Sequence, residues 1–443
     1  MNETRPTESA IKLGKVAVNK HVLVVGGGLA GVETALALAS LGCEATLVEQ
    51  EKSLGGNAGS VFSLHGSGEE PARLIESRTT AIHQNRLIHV LLEAIVVGVE
   101  GNMGGFRVRI DGAGQIGEHD FGAIIVATGF ALDTILEETG FPQKVTSHVG
   151  LEKKLACFSK RSKAESRAAL GIPKNVCFIV EDSGEDSAIR SASALKNALT
   201  IKRLSRSNVF ICCQNVNVSG EGLEKLYRDA RSHGVVIFKF DDEKPRVFTT
   251  DTGFSVGVRD TFAGEDGQWK DVIEINCDLL VLQEQIIPRP NTEALRNLLR
   301  VNADSSHRFQ ENNVWLRPIA SNRKGIFFVG GCRGSFDLDD ILTEARSTAL
   351  EVYNLVGRGE TPVRVGKVAV DASKCALCLT CLRSCPHGAV EVVFDEASST
   401  KAARIVDTAC QACGICVAEC PAKAIEMAPE EDAVKRVAVK AQT

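Results

Sequence analysis

The chain has 443 residues, of which 44% are apolar and 24% are charged. This is the composition of an ordinary globular protein, long enough for about three domains, and it excludes a mainly disordered chain. The formal net charge of −5 excludes a broad basic surface, so nucleic acid is not an expected partner.

The apolar residues predict no membrane span. The most apolar stretch, Val22–Leu41, is interrupted by Glu33 and by several glycines, whereas a span needs about 20 predominantly apolar residues. The first residues of the chain lack the apolar core of a signal peptide. We therefore expect a cytoplasmic protein without a membrane span of its own.

The first elements of the chain predict a βαβ unit. Residues 1–18 are polar and aperiodic, which predicts a flexible tail. His21–Val25 is a short apolar run typical of a buried strand, and Gly26–Gly28 predicts a turn. Leu29–Leu41 has apolar residues at helical spacing, and Ala45–Val48 predicts a second strand.

Further strands and helices are predicted along the chain. Asn102–Gly105 separates two β-rich runs and indicates a hairpin. A second α/β region begins near Asn175, and 361–368 predicts a linker. The remaining predicted strands are Phe121–Val126, Val176–Val180, Val209–Cys213, Val235–Phe238, Leu279–Leu282 and Gly325–Val329, and the remaining helices are Ala188–Leu199 and Leu342–Leu355.

The turn of the βαβ unit matches the G-x-G-x-x-G motif for dinucleotides. Gly26 allows the tight turn, Gly28 lets the backbone approach a pyrophosphate, and Gly31 lets helix and strand pack closely. The helix N-terminus offers free N–H groups to the phosphates. Glu49 ends the second strand, where a carboxylate accepts hydrogen bonds from ribose hydroxyls. A βαβ unit that binds nothing is the alternative.

Additional residues favour FAD over NAD. Ala35, Gly42 and the pair Gly55-Gly56 fit the extended fingerprint of flavoproteins with two dinucleotide-binding domains. By the same resemblance, the backbone of Val96 is a candidate adenine contact, although an ordinary strand valine is equally compatible. Ala-Thr128-Gly129 resembles the second short motif of these flavoproteins, and a plain turn is its alternative.

A late strand resembles the segment that returns to the flavin in those proteins. It ends in Gly330-Gly331-Cys332, where the familiar form has Gly-Asp. The ribityl contact is therefore expected from the backbone of Gly331 or Cys332, or from Asp337. Cys332 has two interpretations, a redox role beside the flavin or a small packed residue.

The inner α/β region lacks a second phosphate-binding turn. After the strand Val176–Val180 the chain reads Glu-Asp-Ser-Gly-Glu-Asp, four acids and one glycine. These carboxylates would repel a pyrophosphate. We therefore expect no pyridine nucleotide in this region. The flavin region has no Cys-x-x-Cys, which argues against a disulfide reductase of the thioredoxin reductase kind.

The C-terminal region carries two runs of four cysteines, each with Cys-x2-Cys-x2-Cys-x3-Cys-Pro spacing. This is the bacterial two-cluster ferredoxin pattern, in which the fourth cysteine of each run ligates the other cluster. The alternative is a pair of structural zinc sites. One predicted [4Fe–4S] ligand set is Cys375, Cys378, Cys381 and Cys420, and the other is Cys410, Cys413, Cys416 and Cys385.

Taken together, these motifs resemble the A subunit of heterodisulfide reductase and its bacterial relatives, over roughly residues 20–430. The resemblance implies an α/β flavoprotein with two Rossmann-like dinucleotide-binding domains and a C-terminal α+β ferredoxin domain. Two departures stand out: the inner region lacks the family's cysteine-containing stretch, and Gly334-Ser-Phe-Asp337 replaces the Gly-Pro-Lys-Asp of many members. An additional cluster and flavin-based bifurcation are therefore not expected.

The resemblance implies an oxidoreductase: an electron-transfer subunit with FAD and two [4Fe–4S] clusters. The expected partners are other redox subunits, either iron–sulfur chains or hydrogenase-, quinone- or acyl-CoA-reductase-type chains, with a homodimer inside the complex as a further expectation. The alternative function is a stand-alone NAD(P)H-dependent reductase resembling a glutamate synthase small subunit. The expected domains are a tail at 1–18, an FAD domain at 19–148 that returns at 323–360, an inner domain at 149–322, and a ferredoxin domain at 361–443.

Overall fold

The computed structural model describes residues 13–60, 71–112, 114–133, 144–159, 173–181, 187–241, 243–259, 272–396 and 399–427. Among these residues, no helix combines the length and the apolar character that crossing a membrane requires.

A five-stranded parallel sheet forms the first unit. Its central strands, Val22–Val25 and Ala123–Val126, are buried along their whole length. They lie in the interior of a parallel sheet, and because every residue of both strands is buried, both faces of the sheet must be covered by apolar residues. The strand order is Ile326–Phe328, Ala123–Val126, Val22–Val25, Ala45–Val48 and Ile88–Leu91. The predicted βαβ unit is confirmed.

The two faces of this sheet are covered differently. One face packs against helices, with Val22 and Val24 in contact with the same core as Leu38 and Ala349. The other face packs against an antiparallel sheet through Phe106 and Phe121. The helices are Leu29–Ser40, Pro71–Gln84 and Leu338–Val352, and the antiparallel strands are Ala94–Asn102, Gly105–Gly112 and Gln115–Phe121.

The predicted hairpin is confirmed, because Asn102 pairs with Gly105 across its turn. A helix, a two-stranded sheet and three short helical turns complete this unit. The helix Thr292–Leu299 packs on the antiparallel sheet through Leu295 and Leu299. A short two-stranded sheet, Ala131–Asp133 with Gln285–Ile287, connects it to the inner region. Single turns of 3-10 and π helix lie at Gly56–Ser60, Gly330–Cys332 and Tyr353–Gly357.

The inner region has a second parallel sheet of five strands, four of which the sequence predicts, and Val145–Ser147 is the fifth. The strand Leu279–Leu282 has the predicted bounds, and the helix predicted at Ala188–Leu199 spans Ser187–Leu204. The sheet order is Val145–Ser147, Leu279–Leu282, Asn175–Val180, Asn208–Cys213 and Val235–Lys239. Its other helices are His148–Ser159 and Leu223–Ser232, and an antiparallel sheet of Arg246–Thr249, Phe254–Arg259 and Val272–Cys277 covers one face.

Part of the predicted tail and linker is ordered into a sheet. Leu13–Ala17 forms a strand that pairs antiparallel with Glu360–Arg364. Expecting a flexible tail here was therefore wrong for residues 13–17, and expecting a linker was wrong for 361–364. The pairing is stabilised by backbone hydrogen bonds and a Lys15–Glu360 ion pair, between segments too distant in sequence for local patterns to reveal.

The cysteine-rich region folds as two similar halves. Each run of cysteines leads into a short helix, Thr380–Ser384 or Ile415–Ala418. Leu377 in the first run and Ala412 at the corresponding place in the second both have positive φ. The strands are Val368–Val370 with Ile425–Met427, and Val390–Asp395 with Thr400–Ile405.

Candidate cofactor sites

A cavity of about 1960 Å³ lies at the carboxyl ends of the first parallel sheet and extends to the inner region. The carboxyl edge is where open parallel sheets bind their ligands. Nine of the twelve predicted cofactor-binding residues line it: Gly26, Gly28, Glu49, Gly55, Gly56, Val96, Thr128, Gly129 and Gly331. Gly31, Cys332 and Asp337 are not among the lining residues.

The glycine turn has the geometry that each of its glycines predicts. Gly26 has φ +110°, and a Cβ there would lie 2.4 Å from the carbonyl oxygen of Ala127. A Cβ at Gly31 would lie 1.9 Å from the carbonyl oxygen of Gly26. At Gly28, by contrast, no described atom lies within 4 Å of the Cβ position. The missing side chain at Gly28 therefore leaves space for a ligand, whereas at Gly26 and Gly31 it avoids a clash with the backbone of the protein.

The second glycine pair packs directly against this turn. The Gly55 N–H donates to the carbonyl oxygen of Gly27 at 2.9 Å. A Cβ at Gly56 would lie 3.1 Å from the Cα of Gly28. The two turns thus form one cradle of backbone at the N-terminus of Leu29–Ser40, where the first N–H groups of a helix are available to a ligand.

Glu49 is fixed at the end of its strand. Its Oε2 accepts a hydrogen bond from the Gly27 N–H at 2.5 Å, and its Oε1 accepts one from the Glu51 N–H at 2.9 Å. The side chain is buried but lines the cavity. A carboxylate at this place has free lone pairs for ribose hydroxyls.

Thr128 and Gly129 present polar and open surface to the cavity. The Thr128 hydroxyl is buried and has no hydrogen-bond partner among the described residues. Such a group is costly to bury unless a ligand or water satisfies it. Gly129 has φ +68°, and no described atom lies within 4 Å of its Cβ position. Both features fit a bound cofactor.

Cys332 faces the core instead of the cavity. Its thiol donates to the carbonyl oxygens of Val126 and Val329, at 3.3 Å each. Burial raises the pKa of Cys332 to about 12, so the group is a neutral thiol near pH 7. Of the two interpretations, the structure favours the packed residue.

Asp337 is a helix cap in the structure. Its Oδ1 accepts from the Asp339 N–H at 2.9 Å at the start of Leu338–Val352. Its neighbours Leu338 and Asp339 line the cavity. The cap thus sets the position of the helix end that faces the cofactor site.

The sequence reasoning missed several cavity residues. The Asn57 side chain donates to the carbonyl oxygen of Phe130 at 2.8 Å, and its position directly after Gly55-Gly56 was a signal. Phe130 and Phe336 meet edge to face with ring centroids 5.2 Å apart. Gln283 and Arg289 each have a buried side-chain atom without a partner among the described residues.

The inner end of the cavity is polar. His148 is buried there, its Nδ1 lies 3.2 Å from the Ser193 hydroxyl, and its Nε2 has no partner among the described residues. Burial and the charges of Lys196 and Arg190 lower the pKa of His148 to about 3. The expectation that this region binds no pyridine nucleotide depends on the acidic stretch after the strand Asn175–Val180. Residues 182–186 of that stretch lie outside the described residues.

The eight motif cysteines gather into the two predicted sets. One small cavity is lined by Cys375, Cys378, Cys381 and Cys420, and another by Cys385, Cys410, Cys413 and Cys416. Each set therefore takes three cysteines from one run and the fourth from the other run. Among the described residues, no group of three or more His, Cys, Asp or Glu is arranged to hold a single metal ion.

The electrostatics of the thiols reflect the same grouping. Burial, together with the nearby Cys385, Cys410 and Cys413, raises the pKa of Cys416 to about 11. Burial also raises the pKa of Cys381, as do Cys375, Cys378 and Cys420. Converging thiolates repel each other, so a cationic centre such as an iron–sulfur core would stabilise them together.

Backbone N–H groups point at three of the sulfurs. Ala389 donates to Cys385 and Ala412 donates to Cys410, both at 3.4 Å, and Ala424 donates to Cys420 at 3.3 Å. Hydrogen bonds to ligand sulfurs tune cluster potentials. Five further cysteines, Cys43, Cys177, Cys212, Cys213 and Cys277, are buried.

Comparisons with known proteins match the first part of the chain and its cysteine-rich part to two families. Residues 2–155 match the family described as pyridine nucleotide-disulphide oxidoreductase, and residues 367–421 match the 4Fe-4S dicluster domain. An iron–sulfur A subunit of CoB–CoM heterodisulfide reductase from Methanopyrus kandleri is 25% identical, over 86% of this chain and 71% of its own length. The chain is therefore similar to A subunits of heterodisulfide reductase. The resemblance predicted from the sequence is confirmed.

Other relatives agree. The corresponding A subunit from Methanocaldococcus jannaschii is 25% identical over 85% of this chain and 70% of its own length. The solved structure of LpdA from Mycobacterium tuberculosis shares the fold, with a TM-score of 0.50 and 14% identity, over 79% of this chain and 75% of LpdA. The predicted fold class is confirmed. The two matched families support a flavin and iron–sulfur clusters.

Proposed function

We propose that this chain is the FAD- and iron–sulfur-containing electron-transfer subunit of a heterodisulfide-reductase-like oxidoreductase complex. One observation carries the proposal: a cradle for a dinucleotide and two crossed sets of four cysteines occur in one chain, in regions that contact each other directly. The homology to A subunits of heterodisulfide reductase supports it. The stand-alone NAD(P)H-dependent reductase is not favoured.

In this proposal the large cavity holds FAD. The backbone around Gly28 would hold the pyrophosphate, Glu49 the adenosine ribose, and the Val96 backbone the adenine. The segment Thr128–Gly129 and the Gly331 backbone would face the flavin end. The fit rests on the open Cβ position at Gly28 and on the unpaired Thr128 hydroxyl.

The two cysteine sets would hold two [4Fe–4S] clusters. Their crossed arrangement is the ligation pattern of bacterial two-cluster ferredoxins. When bound, FAD would accept two electrons together and release them singly, and each cluster would accept one at a time, so the chain would convert two-electron flavin chemistry to one-electron transfer. The chain's own contribution is to hold the groups in fixed positions, and the N–H groups of Ala389, Ala412 and Ala424 orient three ligand sulfurs.

We further propose that the substrate site is on a partner. Iron–sulfur subunits and hydrogenase-, quinone- or acyl-CoA-reductase-type chains are the candidate partner classes, and two copies of this chain are the candidate core of the complex. The many thiols needed for clusters favour the reducing cytoplasm. The proposed domain bounds are 19–148 and 323–360 for FAD, 149–322 for the inner domain and 361–443 for the clusters.

A reductive titration tests the proposal. The protein, purified without oxygen, is titrated with dithionite and followed by absorbance. One FAD and two clusters predict about four electrons per chain. Uptake of only about two electrons would contradict the proposal, because it would leave the clusters out. Complete bleaching by NADH, without any partner, would favour the stand-alone reductase.

A further inference from the structure

Arg323 is a buried cation for which the proposed cofactor sites give no function. It lies in the loop before the returning strand Ile326–Phe328, and the residue is only 6% exposed. A guanidinium is costly to bury unless an opposite charge lies nearby. The position of Arg323 therefore requires a compensating negative charge in its surroundings.

Neutral groups of the first unit of the fold hold the Arg323 guanidinium in place. Its Nη1 donates to the carbonyl oxygen of Leu299 at 2.8 Å. Its Nη2 donates to the carbonyl oxygen of Gly101 at 2.9 Å and to the side-chain oxygen of Asn102 at 3.2 Å. The guanidinium carbon lies 5.8 Å from the centroid of the Phe106 ring. No carboxylate of the described residues forms an ion pair with it, so these contacts fix the side chain without neutralising its charge.

Arg323 also packs against the chain that follows Cys385, a member of the second cysteine set. A Cβ on Gly388 would lie 3.1 Å from the Nε atom of Arg323. The Gly388 N–H donates to the carbonyl oxygen of Cys385 at 3.4 Å. The preceding residue, Asn322, donates to the carbonyl oxygen of Pro386. Arg323 is thus a cation at the contact between the first unit and the second cysteine set.

The guanidinium keeps its charge in this position. Burial, together with the charge of Arg300, lowers the pKa of Arg323 to about 10, whereas Cys385 acts in the opposite direction. Arg323 is therefore protonated near pH 7. A [4Fe–4S] cluster held by four thiolates carries a net negative charge, and this charge grows when the cluster is reduced. Such a cluster would supply the counter-charge that Arg323 requires.

The surroundings of the first cysteine set are different. Its cavity is lined by cysteines and apolar residues alone. Hydrogen bonds from Thr380 lower the pKa of Cys378 and Arg383 contributes to the lowering, but Arg383 is exposed. Exposed charges are screened by water and salt, whereas buried charges are screened much less. The buried charge of Arg323 therefore distinguishes the second set from the first.

Lys367 adds to this difference between the sets. Its ammonium donates to the carbonyl oxygens of Cys410 at 2.6 Å and Asp407 at 3.1 Å. Lys367 is half-buried, so solvent screens its charge more than that of Arg323. The second set thus has two cations beside it, and Arg323 is the more deeply buried.

We propose that Arg323 is the buried counter-cation of the cluster held by the second cysteine set, and that its charge makes this cluster easier to reduce than the first. The inference rests on the proposed function, because it concerns a cluster that the chain would bind. A nearby positive charge stabilises the reduced, more negative form of a cluster and so raises its reduction potential. In this step one electron passes from the reduced flavin, or from dithionite in the test, to the cluster, and no covalent bond forms or breaks.

A redox titration of the full-length holoprotein, followed by electron paramagnetic resonance, tests the order of reduction. Wild type should show two separate cluster reductions. Cys375→Ser with Cys378→Ser leaves the second set complete, and Cys410→Ser with Cys413→Ser leaves the first set complete. These two double variants assign the reductions, and the one at the higher potential should belong to the second set.

Substitutions at Arg323 test the cause of this order. Arg323→Gln removes the charge but keeps hydrogen-bond donors, and it should make the second cluster at least about tenfold harder to reduce, a shift of about 59 mV for one electron. The potential of the first cluster should not change. Arg323→Lys keeps the charge and should restore most of the wild-type potential. Lys401→Gln, which removes an exposed cation of the same region, is the control and should leave both potentials unchanged.

Several outcomes would overturn the inference. They are equal shifts of both clusters or no shift in Arg323→Gln, and an Arg323→Lys variant that behaves like Arg323→Gln. If Arg323→Gln does not retain its iron, the two double cysteine variants decide, and a second cluster that is no easier to reduce than the first would contradict the inference. A wild-type chain without two clusters would overturn the proposed function itself. Two clusters whose potentials do not depend on Arg323 would overturn this inference alone.

Discussion

The Nδ1 atom of His387 donates a hydrogen bond to the backbone carbonyl oxygen of Asn322, at 2.6 Å. His387 follows the last cysteine of the first run, and Asn322 precedes the returning strand Ile326–Phe328. The Asn322 side chain donates in turn to the carbonyl oxygen of Pro386 at 2.5 Å. These bonds join the cluster region to the loop that precedes a strand of the flavin-side sheet, so they connect the two proposed redox sites.

Replacing His387 should loosen this connection. In His387→Ala the Asn322 carbonyl keeps only its bond from Gln411, and the lost hydrogen bond is worth about 1 kcal/mol. Hydrogen–deuterium exchange should rise in peptides containing Asn322 and Pro386, while cofactor content stays unchanged. His233→Ala, at an exposed position directly after the inner helix Leu223–Ser232, is the control. Unchanged exchange in His387→Ala would show that the contact does not couple the regions.

Two glycines of the dinucleotide turn should respond differently to the same methyl group. Gly31→Ala places a Cβ 1.9 Å from the Gly26 carbonyl oxygen, so the turn must shift and the apoprotein should unfold at lower temperature. Gly28→Ala meets no described atom within 4 Å, so stability should be kept, while FAD affinity should fall at least about tenfold because the pyrophosphate loses its approach.

Circular dichroism melts of the apoproteins and FAD titrations separate the two effects. Wild-type FAD affinity in Gly28→Ala would mean that the cofactor does not approach this turn. A wild-type melting temperature in Gly31→Ala would mean that helix and turn are packed more loosely than the structure shows.

The crossed cysteine sets predict which pairs of cysteine substitutions remove one cluster and which pairs damage both. Cys420→Ser combined with Cys375→Ser should remove one cluster and leave about four irons per chain, since both belong to one set. Cys420→Ser combined with Cys410→Ser should damage both clusters, although these two cysteines lie in the same run. Iron analysis and electron paramagnetic resonance measure the outcome, and the reverse pattern would support uncrossed ligation.

Cys332 should not react with alkylating reagents in the folded protein. Its pKa is raised to about 12. The sign of this shift means that the buried neutral thiol contributes its full stability below the ordinary value of 9.0, and that this contribution is lost as the pH rises through about 12. We expect no iodoacetamide labelling of Cys332 in the folded protein between about pH 7 and about pH 9, because the thiol is neutral there. After unfolding, we expect full labelling.

A redox role for Cys332 would give a different result. Labelling of the folded protein at pH 7, or loss of flavin reduction in Cys332→Ala with FAD still bound, would contradict the packed-thiol interpretation. Peptide mass spectrometry reports the labelling, and the absorbance of the bound flavin reports its reduction.

The sequence predicted what local spacing determines. The turn Gly26–Gly31 and both cysteine runs carry their geometry within a few residues, because backbone conformation and ligand spacing are local properties. The crossed sets followed from the ferredoxin pattern. The hairpin at Asn102–Gly105 followed from turn residues between β-rich runs.

Long-range pairing and side-chain direction could not be predicted in the same way. The strand Leu13–Ala17 depends on Glu360–Arg364, a partner at the other end of the flavin-side unit. Cys332 lies at the predicted strand end, but the single helical turn Gly330–Cys332 directs its thiol into the core. His148 lines the cavity because the inner sheet brings it there, which no local motif indicates.

The central claim is that one chain holds one FAD and two clusters for transfer to companion subunits. The most direct test is anaerobic purification of the native protein with whatever co-elutes, followed by flavin, iron and sulfide analysis. The account predicts one FAD, about eight irons and about eight sulfides per chain, together with other redox chains. Zinc in place of iron, or a chain without flavin and without companions, would contradict it.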